Sequence, residues 1–302
     1  MLNLLILLGC LKSSFLVAGE SDPHEPTPRF IMGVYYPAIR YLQTRVDFQV
    51  ALNFWLQEYA NILNISPAEA RLFENMETLA VAFDSRELDF VMSPPILIAQ
   101  FIRRSQLADG FVGTNVDGNS QYETLLLGRK EQEIEGFEQL AGKRLVMVED
   151  DGLATMFIDT LSLKAFHQPF DKVFKRVRDK EKQSAVIMDL FFDLADIGLV
   201  NREVFMSMQE MNPQIGESLK VLAIFPSKSP NYGYFHSAVP ETIRYKITQT
   251  VLESNSNART QQVLNDLRMS SLIPCEVEEL DAFDKLIAEH QMLQKNTKNE
   301  KN

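Results

Sequence analysis

Four places in the chain carry residue types that could hold a small polar molecule. Residues 149–155 read Glu-Asp-Asp-Gly-Leu-Ala-Thr. Carboxylates in such a loop either accept N–H groups at the start of the next helix or face a cationic ligand. Asp150 and Asp151 are the carboxylates of interest, Gly152 permits close backbone approach, and Thr155 offers a hydroxyl. Tyr35-Tyr36-Pro37 closes an apolar run. Alternate strand residues face opposite ways, so one of the two phenols should face a cleft and the other a core. Ser93 precedes Pro94-Pro95, where a hydroxyl suits a helix cap or an oxyanion. Val200-Asn201, the end of a short apolar run, is the fourth place.

None of this is a catalytic constellation. HExxH, CxxC, GxSxG and Walker patterns are absent. His24, His167, His236 and His290 are scattered, and Cys10 and Cys275 are too far apart for a metal spacing or a disulfide scaffold. Adjacent aspartates on one loop rarely point together, so Asp150 and Asp151 make a poor acid–base pair. The expectation is a protein that is not an enzyme and holds no cofactor and no metal. His236 reads as a hydrogen-bonded structural residue, and Trp55, Phe191 and Phe192 as core.

Strand and helix patterns alternate along the chain. Strand-like runs are 29–36, 70–75, 88–93, 110–115, 122–129, 143–149, 173–178, 196–200, 219–225 and 232–239. Helical patterns cover 47–64, 77–87, 153–166, 184–195, 202–211, 241–255, 258–269 and 277–293, and one opens at Pro94-Pro95. In 47–64, Val50, Ala51, Phe54, Trp55 and Leu56 to Ile62 are taken to share an apolar side. The alternation predicts an α/β fold with mostly parallel sheets, and 302 residues suit two sheets better than one. Ligands of such sheets sit beyond the carboxyl ends of strands, where all four places lie.

The chain is 45% hydrophobic and 24% charged, ordinary globular usage. Its formal net charge is −11, from 30 Lys+Arg against 41 Asp+Glu, which disfavours nucleic acid as a partner. Residues 2–11, LNLLILLGCL, are too short to span a bilayer and have the size of a signal-peptide core. Two processing routes stay open: lipidation at Cys10, or cleavage before Glu20. Both export the chain and predict a periplasmic location.

The order and spacing of several stretches resemble the PhnD-like phosphate/phosphite/phosphonate-binding receptors of ABC importers. They are RFIMGVYYP, RELDFVMSPP, YETLLLGRK, FEQLAGKRLVMVED and AVIMDLFFDLADIGLV with the following Asn-Pro-Gln turn. The resemblance implies a two-lobed type II periplasmic-binding fold with two mixed sheets, a hinge and a cleft. After a signal peptide at 1–19, lobe one takes 20–118 and 222–290, lobe two 119–221, and 291–302 is a flexible tail. Hinge crossings are placed near Asn119 and Ile224. It also implies a small-molecule ligand, an ABC permease at the inner membrane and a monomer. An exported sensor feeding a membrane signalling protein is the alternative.

The implied ligand-binding residues are Tyr35, Tyr36, Ser93, Tyr122 near the hinge, Asp150, Asp151, Thr155 and Asp196 near the cleft floor. The departure lies at 149–155, where the family tends to have Ser and Thr. Either the carboxylates here cap the helix, or the ligand is cationic or zwitterionic.

Overall fold

A computed structural model describes residues 29–37, 45–115, 118, 120–149, 151–228, 231–266 and 269–299. The signal segment with Cys10, the crossing at Asn119, and Asp150 lie outside the described residues. The first part runs β1 (Phe30–Val34), α1 (Arg45–Leu63), β2 (Ala68–Leu72), α2 (Met76–Asp84), β3 (Phe90–Ser93), α3 (Pro95–Phe101) and β4 (Leu107–Gly113). Next come β5 (Gln121–Arg129), β6 (Arg144–Val148), α4 (Gly152–Phe166), α5 (Phe170–Val173), β7 (Arg176–Lys180) and α6 (Gln183–Phe191). β8 (Ile197–Asn201), α7 (Arg202–Met211), α8 (Pro213–Ser218) and β9 (Leu219–Lys228) follow. The chain closes with β10 (Tyr232–His236), α9 (Glu241–Glu253), α10 (Ala258–Asp266), β11 (Leu272–Cys275) and α11 (Asp281–Asn299).

Two mixed sheets result. The first has the order β11-β4-β10-β3-β1-β2, and the second β7-β6-β8-β5-β9. β1 pairs in parallel with β2 and β3, as β6 does with β7 and β8, because helices carry the chain across between them. β10, β5 and β9 add antiparallel pairs, so the sheets are less purely parallel than the alternation suggests. Both faces of each sheet are covered. Phe30, Met32, Val34 and Tyr36 pack toward α1, while Ile31 and Tyr35 pack toward α2 and α3, the period-two division of a strand buried on two sides. In the second sheet, Leu125, Leu127 and Val146 face α6 and α7, and Leu126, Leu145 and Met147 face α4.

Four expectations need correction. β9 stays paired with β5 through Gln121↔Lys228, so the return to the first sheet falls between 228 and 232, not at Ile224 or residue 222. Pro226 looked like a strand end, but β9 is an edge strand, and an edge tolerates proline. The stretch 291–299 is no flexible tail: α11 runs to Asn299, and Thr297 is buried with its hydroxyl donating to the Leu293 carbonyl at 3.0 Å. α1 buries Phe48, Leu52, Trp55, Leu56 and Tyr59, and leaves Phe54 64% exposed with Val50 and Ile62 on the same outer stripe. Phe192 caps the end of α6 and is 61% exposed rather than core.

Candidate functional site

The carboxyl ends of the parallel strands in the two sheets open onto one cleft of about 530 Å³. On the first-sheet side its walls are Tyr35 and Pro37 after β1, Asn75 to Glu77 at the start of α2, and Leu97, Gln100 and Phe101 of α3. On the second-sheet side they are Gly152, Thr155, Met156 and Asp159 of α4, with Phe170. A third side comes from α11, which contributes His290 and Gln294.

Helix starts bring the polar groups here. Asn75 caps α2, its side chain accepting the Thr78 N–H at 2.8 Å. Asp151 caps α4, accepting the Ala154 N–H at 3.0 Å. Both N-termini therefore turn their positive end toward the cleft. Burial raises the Asp151 carboxyl above its ordinary range, against the pull of N–H groups from Ala154 and Leu153. Asp151 thus serves as a helix cap.

Thr155 and Asp159 are one turn apart on α4 and share the cleft face. Asp159 is buried. Its Oδ1 accepts the Phe170 N–H at 2.8 Å, and its Oδ2 lies 2.7 Å from His290 Nε2. Beside this pair, Lys164 of α4 meets Glu289 of α11 at 2.8 Å.

The residues singled out in the sequence divide. Tyr35 and Thr155 line the cleft. Tyr36 turns into the opposite core, and its buried hydroxyl has no hydrogen-bond partner among the described residues; burial holds the phenol protonated. Ser93 is fully buried one side chain behind the wall, its hydroxyl donating to the sulfur of Met76 at 3.5 Å. Tyr122 is half-buried at the start of β5, opposite Ser227, and does not line the cleft.

Asp196 is far from the expected role. It precedes β8 at the amino edge of the second sheet, the rim opposite the cleft. There it accepts the Arg144 backbone N–H at 2.7 Å, the Arg144 guanidinium at 2.7 Å and the Gln132 amide at 2.8 Å. Burial alone would raise its carboxyl, but the hydrogen bonds from Arg144 and Gln132 outweigh that and hold it at about 2. His236 is structural, as read: it lies at the far end of β10, and its Nδ1 accepts the Ala238 N–H at 3.1 Å.

Sequence reasoning missed Asn75, Glu77, Gln100, Asp159, His290 and Gln294. The four-residue step from Thr155 to Asp159 was a usable signal. Nothing in the sequence marked His290, which belongs to a helix distant along the chain. A smaller cavity, about 50 Å³, lies inside the first core among Phe30, Trp55, Tyr59 and Leu272; its apolar walls make it a packing void.

Comparison with known proteins agrees with this geometry. A family model described as the phosphonate periplasmic substrate-binding protein of ABC transporters matches residues 60–280. No curated protein matches the chain. Among solved structures, a binding protein component of an ABC phosphonate transporter from Pseudomonas aeruginosa is 14% identical, with TM-score 0.62, covering 90% of this chain and 89% of its own. PhnD1 from Prochlorococcus marinus, in complex with methylphosphonate, is 14% identical with TM-score 0.58, covering 87% of this chain and 100% of its own. A Xanthomonas citri protein bound to ATP is 11% identical with TM-score 0.64, covering 89% of this chain and 99% of its own. At these identities the likeness establishes the fold, that of the type II periplasmic binding proteins. With the family model spanning most of the described residues, the chain belongs to the phosphonate periplasmic substrate-binding protein family of ABC transporters.

Proposed function

We propose that the chain is an exported receptor that closes two lobes around a small polar solute and presents it to an ABC permease, without chemistry. The observation that carries the reading is the cleft, where the ends of two separate sheets and two helix N-termini meet. The sheets are joined by two crossings, between β4 and β5 and between β9 and β10. Such a pair of crossings suits a hinge, and a ligand that touches both lobes favours the closed state. The lobes in this reading are residues 29–113 with 232–299, and 121–228.

The solute class is phosphonate-like or zwitterionic. The helix N-termini and the Thr155 hydroxyl suit an oxyanion, and a solved relative carries methylphosphonate. Glu77 suits an amino group on the same molecule. The chain acts as a monomer with its permease at the inner membrane, exported either through Cys10 or by cleavage before Glu20.

Thermal unfolding against phosphate, phosphite, phosphonates, amines and amino acids tests this. A receptor gains about 2.7 kcal/mol at a ligand concentration of ~100 Kd, a rise of several degrees for a chain of this size. A panel at millimolar concentration with no shift for any member overturns the reading.

A further inference from the structure

The third wall of the cleft changes its chemistry. α11 starts on the first-sheet side, where Phe283, Leu286 and Ile287 join the core and Arg104 holds Asp281 and Asp284 at 2.8 Å. Its middle packs against α4, through Lys164–Glu289 and His290–Asp159. Among the described lining residues there is no Lys or Arg, and His290 is the group that can become positive.

The hydrogen bonds set which nitrogen does so. Asp159 is anchored by the Phe170 N–H on one oxygen and meets His290 Nε2 on the other. A carboxylate only accepts, so Nε2 carries its proton in both charge states of the ring. Gln294, from the next turn, brings its side-chain amide to 3.3 Å from the same nitrogen, and a protonated Nε2 is matched there when the amide turns its oxygen, the acceptor, toward the ring. Both hydrogen-bond contacts of the ring among the described residues are made at Nε2, and none is made at Nδ1. In the neutral ring Nδ1 is an acceptor, which opposes an anion; in the imidazolium it is a donor, which binds one. Among the described residues the charged neighbours are Asp159 and Lys164 from α4, Glu289 on α11, and Glu77 from α2, while α3 brings Leu97, Gln100 and Phe101 and the segment after β1 brings the Tyr35 phenol.

We propose that His290, steered by Asp159, is an anion-contacting residue of the cleft, and that binding of the solute's anionic group is coupled to uptake of one solvent proton at Nδ1. The proposal rests on the receptor reading above. It makes the C-terminal helix part of the ligand site and gives the receptor a higher affinity in acid.

Titration calorimetry of the full chain with methylphosphonate and with inorganic phosphate tests it, at pH 5.5 and 8.0, in wild type, His290→Gln and His290→Lys. The ratio of wild-type to His290→Gln affinity cancels the probe's own ionisation. The ratio should fall about 10-fold or more between pH 5.5 and 8.0, since imidazoles titrate across that range. At pH 8.0 the wild-type heat should vary with buffer in proportion to close to one proton taken up, and His290→Lys should bind without that proton. The buffer dependence needs no variant and stands even if a substitution disturbs folding. Binding with a pH-independent ratio and no proton uptake overturns the proposal and leaves the receptor reading intact. A ratio that rises with pH assigns the nitrogen to a donor ligand and also overturns it. No binding of either probe at any pH defeats both the proposal and the phosphonate-like reading.

Discussion

Replacing Asp196 with alanine removes a carboxylate that ties the start of β8 to the start of β6. It takes away the acceptor of the Arg144 N–H, of the Arg144 guanidinium and of the Gln132 amide. The carboxyl sits at about 2 instead of the ordinary 3.8. At ~1.4 kcal/mol per pH unit, that difference sets a ceiling of about 2.5 kcal/mol on its contribution. The Arg144 side chain is 34% exposed, so solvent screening lowers the expected penalty to about 1–2 kcal/mol at pH 7. The folded carboxyl lies below the unfolded one, so its contribution is present above pH ~4 and is lost as pH falls toward 2. Urea unfolding of both proteins at pH 7.0 and 3.0 reads this directly. The gap in stability should shrink by about half at pH 3. Ligand affinity should not change, because Asp196 lies on the rim opposite the cleft. An equal gap at both pH values would refute the clamp. A tenfold loss of affinity with unchanged stability would return Asp196 to the ligand site.

Tyr36→Phe removes a buried hydroxyl that has no partner among the described residues; stability in urea should hold or rise, by up to about 1 kcal/mol, and a loss of that size would reveal a bond. Burial, with the Arg86 charge second, lowers the His236 imidazole, so NMR should find it titrating below 6.5. The folded state then prefers the neutral ring, and stability should fall as pH drops below ~6.5; His236→Asn, which keeps an acceptor for the Ala238 N–H, should flatten that loss. Trp55→Ala should cost about 3–5 kcal/mol, whereas Phe54→Ser, one residue earlier on the exposed stripe, should stay within about 0.5 kcal/mol; comparable costs would mean that α1 packs with a different face inward.

Much of the framework was readable without coordinates. β1, β3, β5, β6 and β8 are short apolar runs bounded by Gly, Pro or charged residues, and their burial on both faces makes the signal strong. The alternation rule was enough to say that one of Tyr35 and Tyr36 faces the cleft, because the rule depends only on backbone geometry. The capping use of Asp151 was likewise one of two uses available to a carboxylate before a helix start. Amphipathic helices were harder. α1 carries apolar residues around most of its circumference, and only the sheet beneath it selects the face that holds Trp55.

Local chemistry, strand periodicity and helix starts are written in neighbouring residues, so the sequence alone determined the α/β class and the two sheets, and pointed to two of the segments that line the cleft, the one after β1 and the one that opens α4. Contacts between distant segments are not written there. Asp159 and His290 are 131 residues apart and meet only because α11 packs across α4. The family resemblance put Asp196 near the cleft floor; the tertiary structure has it at the amino end of β8, where parallel strands present the opposite rim. Which end of a strand faces the ligand, and which helix closes the site, follow from how the two sheets are set against each other, and that is a property of the folded chain.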